Sequence, residues 1–565
     1  MRPLIERFSN DRRSLDRSIP AIWSQSRQKR LEAFQREWIA LIEKLDFESM
    51  SRDGRIDYLL LRNELDHGLR QLELESRRMR EIDCLVPYAE TIVTLEESRR
   101  KMEAIDPPAI ADLLNELTQR IRLSTKDLEA SNPEERKKNS EVENSAKSGS
   151  ISRSLALRTA GFIDDLDRTL ERWFGFYKGY DPSFSWWATE PYKTVQKSLS
   201  DHAAMFREKI AGIKPGESSD GGEIVGDPVG REALLADLES EMIPYTPEEL
   251  AAIAEKELAW CEVEKRKASN DLGFGDDWQR ALEHVKKKFV EPGKQPDLIR
   301  DLARESVDFL EERDLVTIPP LVKETWRMEM MSPARQLVNP FFTGGEVISV
   351  SFPTDAMNHE QKLMSLRGNN IHFSKATVHH ELIPGHHLQG FMSTRHRSYR
   401  REFSTPFSIE GWALYWELRL WDLNFARSPE DRLGMLFWRS HRCARILFSL
   451  NFHLGKMSPE ECVDLLVNRI GHERANAEGE VRRSFEGSYS PLYQAAYLLG
   501  GLQLRALHGE LVKTAKMTEK AFHDAVLREN QIPAAMIRAS LTEIDLDREG
   551  TAATWKFYEV EPLKP

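Results

Sequence analysis

Apolar residues recur every three or four positions along most of this chain, separated by Arg, Glu and Gln. Between residues 24 and 79, Leu31, Phe34, Trp38 and Leu41 carry this pattern. A period near 3.6 places such side chains on one face of an α-helix. The pattern therefore predicts amphipathic helices that bury one face in a core.

Three strings of the same design mark helix starts. Each has a capping residue, a proline and two glutamates, in Asn132–Glu135, Thr246–Glu249 and Ser458–Glu461. The cap accepts backbone N–H bonds, the proline presets φ, and the glutamates suit the positive end of the helix dipole. Together with the periodicity, these strings predict a mainly α fold.

Other segments break the helical pattern. Residues 346–352 alternate and are rich in Val and Ile, which predicts a short β-strand just before a histidine-rich segment. Residues 131–153 and 212–230 are polar or rich in Gly and Pro, which predicts exposed loops. We expect an N-terminal helical region at 1–240 and a second region at 241–565.

Composition narrows the class of protein. The chain has 565 residues, and its 92 acidic against 80 basic residues argue against a protein that coats nucleic acid. Its four cysteines include no CxxC pair, so neither a disulfide framework nor a zinc knuckle is expected. No apolar run reaches the ~18 residues of a membrane span, and no signal peptide is visible, so we expect a cytoplasmic protein.

Histidines concentrate in one segment, because seven of the 15 lie between His359 and His396. Its centre reads TVHHELIPGHHLQ. Imidazole is the commonest metal ligand, and zinc takes it readily. The chain nevertheless lacks the zinc motif HExxH, because the residue four positions beyond His380 is Pro384.

A broken helix would still allow chelation in this segment. On a straight helix, His386 at i+6 lies about 240° around from His380, and His387 at i+7 lies about 10.5 Å along the axis. Pro384 and Gly385 disfavour a straight helix here. A break at this pair would bring His386 back towards His380.

A third ligand is available on the next predicted helix. Glu410 and Glu417 lie seven residues apart on one face of the string EGWALYWE, and Glu410 follows His386 by 24 residues. That length is enough for one helix to end and for an antiparallel helix to return.

The strings HHELIPGHHLQ and SIEGWALYWE resemble the bacterial "domain of unknown function 885" family. That family is similar to the gluzincin metallopeptidases, especially the helical thimet-oligopeptidase-like and carboxypeptidase-like enzymes. The resemblance implies a large, helical, zincin-like body with a small β element beside the active-site cleft. It also implies one Zn²⁺ per chain on His380, His386 and Glu410, with Glu381 as the general base.

The resemblance extends over nearly the whole chain, through the segments Gly54–Arg62, Tyr245–Leu250 and Gln494–Gly500. One string departs from the family pattern. Ser449–His453 stands where the family often has Asp-Thr-Gly-x-His, so this chain keeps the His and lacks the Asp.

Hydrolysis of an amide also needs hydrogen-bond donors for the developing oxyanion. We expect Tyr497 to be the first such donor, with Arg482 and Arg483 behind it. His453 is a further catalytic candidate. Tyr497 fits a core tyrosine equally well, and His453 on an apolar helix fits a structural histidine.

These residues predict a zinc-dependent metallopeptidase that acts on short peptides or related amides. As in helical gluzincins, the strand at 346–352 would bind an extended peptide along its edge. The alternatives are a zinc-binding protein without turnover and a degenerate peptide-binding scaffold. His379 and His387 are expected beside the ligands, although either is an alternative to His386, and manganese or cobalt could replace zinc.

Overall fold

The computed structural model describes residues 1–19, 24–130, 151–213, 222–336, 341–486 and 489–559. In chain order the α-helices within these residues are α1 Arg2–Ser18, α2 Gln25–Ile42, α3 Arg52–Asp83, α4 Ala89–Arg100, α5 Pro107–Ala130, α6 Arg153–Tyr177, α7 Pro182–Ala204, α8 Gly230–Ser240, α9 Pro247–Asp271, α10 Trp278–Lys286, α11 Gln295–Glu312, α12 Pro320–Thr325, α13 Pro333–Gln336, α14 His359–Gly368, α15 Ile371–Glu381, α16 His386–Ser393, α17 Pro406–Asp422, α18 Pro429–His453, α19 Pro459–Leu465, α20 Arg474–Phe485, α21 Tyr493–Leu511, α22 Glu519–Arg528 and α23 Ala534–Leu541. The strands are β1 Arg327–Met330 and β2 Val347–Val350. The predicted mainly α class with a small β element is therefore confirmed.

Two of the three predicted helix starts can be compared with the structure. Thr246 and Ser458 each accept an N–H bond from the glutamate three residues on, and that glutamate bonds back to the cap. These reciprocal bonds satisfy N–H groups that the helix itself leaves unpaired. The string Asn132–Glu135 and the loop residues 131–150 and 214–221 lie outside the described residues.

The chain forms two compact units. One unit contains residues 10–40 and 68–227. Its core is apolar and comes mainly from α4 to α7, with Leu114, Ile163 and Phe184 fully buried. The other unit contains residues 1–9, 41–67 and 228–565, and it carries every predicted site residue.

The two strands pair in parallel, with Arg327 opposite Val347 and Met330 opposite Val350. Strand β2 lies within the predicted segment 346–352, whereas β1 is not anticipated by the sequence pattern. Ile348 and Val350 of β2 are buried in one apolar cluster with Val378 and Leu382. The β element therefore packs beside α15, the helix that carries His379 and His380.

Candidate metal centre

Helix α15 ends at Glu381, and α16 begins at His386, so the helix breaks at the Pro-Gly pair. A Cβ atom on Gly385 would lie 1.8 Å from the carbonyl oxygen of His380, so only glycine fits this position. The break turns the two helices towards each other. The ring centroids of His380 and His386 lie 4.8 Å apart, and the rings are nearly perpendicular.

The linker between α15 and α16 is held by side chains from distant helices. Ser306 of α11 donates a hydrogen bond to the carbonyl of Ile383 at 2.8 Å. The indole N–H of Trp412 on α17 donates to the carbonyl of Pro384 at 2.8 Å. These bonds satisfy backbone groups that the helix break exposes, and they fix the path of the linker.

Glu410 reaches this linker because α17 packs closely against α21. A Cβ atom on Gly411 would lie 2.6 Å from the backbone of Gly500, and one on Gly500 would lie 2.0 Å from the carbonyl oxygen of Phe407. Glycine at both positions lets the two backbones approach. The contact sets Glu410 opposite the first turn of α21.

His380, His386 and Glu410 converge at one point. Oε2 of Glu410 lies 3.2 Å from Nε2 of His386 and 3.6 Å from Nε2 of His380. One ligand atom from each residue lies within 4.8 Å of the other two. Zinc bonds of about 2.0–2.2 Å at a tetrahedral angle would separate ligand atoms by about 3.3–3.6 Å.

The surroundings of Glu410 also suit a cation. Its Oε2 atom is buried and forms no hydrogen bond of good geometry within the part of the chain that the structure describes, although Nε2 of His386 lies 3.2 Å away. A buried carboxylate oxygen without a donor is costly unless a cation neutralises it. The three side chains therefore fit a zinc ion, and the exposed fraction of His386, 17% against 2% for His380, indicates on which side the site opens.

A buried carboxylate lies behind His380. Oε1 of Glu417 is 2.7 Å from Nδ1 of His380, the ring atom opposite the ligand atom Nε2. Nη2 of Arg442 on α18 lies 3.5 Å from the same oxygen. Despite burial, which raises the pKa of Glu417, Arg442 and His380 lower it, so the carboxylate stays charged and orients the imidazole.

The same charges set the protonation of the ligands in the metal-free protein. Burial lowers the pKa of His380, but the carboxylates of Glu410 and Glu417 outweigh it and raise this pKa to about 9. Burial raises the pKa of Glu410, but His386 and His380 lower it well below its usual range. Protonated His380 therefore stands where the cation would bind.

Glu381, the expected general base, directly follows His380 and is half-buried. The backbone N–H of Gly345 donates to its carbonyl at 3.1 Å. A Cβ atom on Gly344 would lie 2.4 Å from Oε2 of Glu381, so Gly344 makes room for the carboxylate. Burial raises the pKa of Glu381, which is the direction required of a group that both accepts and donates a proton.

The two neighbouring histidines are directed elsewhere. His379 is buried, packs against Phe425 with ring centroids 5.8 Å apart, and has its pKa lowered by burial to about 4. Nε2 of His387 lies 2.9 Å from the carbonyl oxygen of Val322. Neither histidine belongs to the converging group, as the resemblance implied.

Tyr497 lies beside the centre. Its ring is parallel to that of His380, with centroids 6.1 Å apart. Arg442 and Arg445 both lie against the Tyr497 ring, at 4.6 and 4.5 Å from its centroid. Burial raises the pKa of Tyr497, so its hydroxyl keeps its proton.

The other predicted polar residues lie elsewhere. His453 ends α18, eight residues or about 12 Å beyond Arg445, and packs against Phe452 and Phe485. Arg482 pairs with Glu486 at 2.8 Å. Arg483 pairs with Glu480, 3.0 Å away, which also binds Arg445.

Sequence reasoning missed Tyr493, Arg442 and Arg445. The hydroxyl of Tyr493 donates to Oε1 of Glu410 at 2.6 Å. A signal for the arginines exists, because residues 439, 442 and 445 are all arginines at three-residue spacing on an otherwise apolar helix. For Tyr493 the only signal is its place four residues before Tyr497, on the same helix face.

The free edge of the sheet belongs to β1, not to β2 as expected. Ser349 of β2 exchanges two backbone hydrogen bonds with Thr343 on the side away from β1. Alternate residues of β1 bond β2, which leaves Met328 and Met330 at the outer edge. Among the described residues, no backbone group pairs with that edge.

Comparison with known proteins identifies the family. A family model described as "Bacterial protein of unknown function (DUF885)" matches residues 9–541. The chain therefore belongs to this bacterial family, as the two strings around His380 and Glu410 indicated. No curated protein matches the chain.

Two solved structures resemble this chain to different extents. A structure from Shewanella oneidensis, described as "a putative lipoprotein of unknown function", is 16% identical, with a TM-score of 0.66 over 95% of this chain and 98% of that chain. A "putative lipoprotein" from Colwellia psychrerythraea is 14% identical, with a TM-score of 0.48 over 83% and 97%. At these identities the likeness concerns the fold alone.

The expected cytoplasmic location is wrong, because the structural neighbour from Shewanella oneidensis is described as a lipoprotein. The expectation depended on the lack of a visible signal peptide and of a long apolar run, and neither determines where a folded protein is located. Within the described ranges, no helix is both long enough and apolar enough to cross a bilayer.

Proposed function

We propose that this chain is a zinc-dependent peptidase that hydrolyses peptide or related amide bonds of short substrates. The observation that carries the proposal is the buried convergence of His380, His386 and Glu410 at separations suited to tetrahedral zinc. Glu381 lies next to this group, and Glu417 orients one of its histidines. The resemblance of these strings to the gluzincin peptidases supports the same assignment.

Each residue then has a defined task. His380, His386 and Glu410 would hold the zinc, which would supply a Lewis acid that activates water and polarises the substrate carbonyl. Glu381 accepts the proton of the attacking water on its carboxylate and passes it to the leaving amine. The hydroxyl of Tyr497 donates a hydrogen bond to the substrate carbonyl oxygen as negative charge develops there. Arg442 and Arg445 hold the tyrosine ring in place.

The substrate is proposed to be an extended, short peptide. The outer edge of β1 offers the N–H and C=O groups of Met328 and Met330 for main-chain pairing. The ligands themselves are almost fully covered, with His386 the most exposed at 17%. A covered centre admits a short flexible chain more readily than a folded protein.

Metal content tests the site first. The protein without a His tag, and variants His380→Ala and His387→Ala, are loaded with zinc, freed of excess, and measured by plasma mass spectrometry. We expect about one zinc per chain in the native protein, none in His380→Ala, and only partial loss in His387→Ala. No zinc in the native protein contradicts the proposal.

Turnover tests the chemistry. Native protein and Glu381→Gln, both loaded with zinc, are assayed on a library of short peptides by mass spectrometry. We expect cleavage by the native protein and a loss of about 10²–10⁴-fold in Glu381→Gln with zinc retained. Zinc bound without cleavage by the native protein would instead favour a metal-binding protein that performs no hydrolysis.

A further inference from the structure

The two oxygens of Glu410 have different surroundings. Oε1 accepts a hydrogen bond of 2.6 Å from the hydroxyl of Tyr493. Oε2 faces Nε2 of both histidines at 3.6 and 3.2 Å and forms no hydrogen bond of good geometry with any described residue. One oxygen is therefore engaged by the protein, and the other is left for a cation.

Tyr493 is itself firmly held. It is the first residue of α21, and Gly500 on the same helix is fitted against Gly411 of α17. Its ring packs between Tyr489 and Tyr497, with centroids 4.3 and 5.9 Å away. The hydroxyl therefore has little freedom to leave Glu410.

We propose that Tyr493 is a positioning residue that holds Glu410 as a one-oxygen ligand and so would keep a bound metal four-coordinate. The inference rests on the proposed zinc site. A carboxylate can bind a metal through one oxygen or through both, and the choice changes the coordination number. Because Oε1 is bonded to Tyr493, the carboxylate is prevented from turning both oxygens to the ion.

Removal of the Tyr493 hydroxyl would take away the hydrogen bond that keeps Oε1 of Glu410 from the ion. In Tyr493→Phe, Oε1 becomes a buried acceptor without a donor, which is unfavourable. The nearest positive charge is then the ion, so Oε1 turns towards it. The second oxygen would then bind in addition to the three ligands and the water, so the coordination number would rise from four to five.

Cobalt reports the coordination number directly. Native protein, Tyr493→Phe and the control Tyr489→Phe are loaded with Co²⁺, and their visible absorption is recorded, because four-coordinate Co²⁺ absorbs several-fold more strongly than five-coordinate Co²⁺. We expect the intense spectrum in the native protein and in Tyr489→Phe, and a several-fold weaker one in Tyr493→Phe. An unchanged spectrum in Tyr493→Phe overturns the inference.

A second measurement needs no variant. X-ray absorption at the zinc edge of the native protein should give four N or O ligands near 2.0 Å. A second, longer carboxylate oxygen at the ion would overturn the inference even if Tyr493→Phe failed to fold.

The two proposals can fail separately. The expected cobalt spectra without cleavage of any peptide would support the role of Tyr493 and count against the peptidase. A native protein that binds neither cobalt nor zinc would overturn both.

Discussion

Nδ1 of His380 lies 2.7 Å from Oε1 of Glu417, so a single imidazole connects a buried carboxylate to the point where the ligand atoms converge. Once Nε2 loses its proton, the carboxylate favours the tautomer that keeps the proton on Nδ1, which leaves the Nε2 lone pair free for a metal. Glu417 lies two turns beyond Glu410 on α17. One helix thus provides both a proposed ligand and the partner of another proposed ligand.

Glu417→Gln should weaken zinc binding by about 10–100-fold without removing a ligand. The amide cannot supply the negative charge that orients His380, and Arg442 loses its counterion at 3.5 Å. Competition with a chelator measures the zinc affinity. The exposed Glu360→Gln is the matched control. Equal affinities in both variants would show that Glu417 does not act on the metal.

Zinc affinity should rise with pH up to about 9. Below that value the metal-free protein holds a proton on His380, whose pKa is raised to about 9 by Glu410 and Glu417 against burial. Zinc must displace this proton, so the affinity should change about tenfold per pH unit for that one proton. Calorimetry in buffers of different ionisation enthalpy counts the protons released.

The raised pKa of His380 also affects the stability of the metal-free protein. This stability should fall as the pH rises, whereas the zinc affinity should increase. His380 has an unfolded pKa of about 6.5, so its contribution is fully present below that pH and is lost as the pH rises through about 9. The increase in Tm caused by zinc should therefore grow between pH 6.5 and 9. An increase that is flat over this range would contradict the assignment of His380.

Gly385→Ala should abolish zinc binding and lower the free energy of unfolding by more than about 2 kcal/mol. The new Cβ would lie 1.8 Å from the carbonyl oxygen of His380, so α16 must shift and carry His386 away. Gly390→Ala on the same helix is the control, because nothing lies within 4 Å of its Cβ. Thermal unfolding and zinc content of the two variants should differ sharply.

Gly500→Ala should destabilise the protein by about 1–3 kcal/mol, as overpacking does. Its Cβ would lie 2.0 Å from the carbonyl oxygen of Phe407, so α21 must move away from α17. Gly509→Ala, also on α21, meets nothing within 4 Å and serves as the control. If both variants unfold at the same temperature, the close approach of the two helices is not formed.

Short sequence patterns were enough to predict two helix starts, the helix break and the three proposed metal ligands. The capping strings at Thr246 and Ser458 act over three residues, and both helix starts are confirmed. The helix break at Gly385 follows from the limits of proline and glycine themselves. The three proposed ligands fall within about 30 residues of sequence, where a family resemblance is easiest to see.

Contacts between residues that are far apart in the sequence could not be predicted from such short patterns. Tyr493 follows Glu410 by 83 residues, and nothing in its own string indicates a carboxylate partner. Strand β1 has no alternating apolar pattern, because three of its four residues are exposed and pairing with β2 alone makes it a strand. Such features depend on packing between distant segments.

The linker between α15 and α16 has a consequence for the order of assembly. Its carbonyl groups at Ile383 and Pro384 are held by α11 and α17, and the carbonyl of Glu381 at the end of α15 is held by the backbone just before β2. These segments are far apart in the chain. Contacts of large sequence separation form late, because loop-closure entropy must be overcome first. A refolding chain would therefore bind zinc only near the end of folding. The rate of zinc binding would report when this unit has completed its fold.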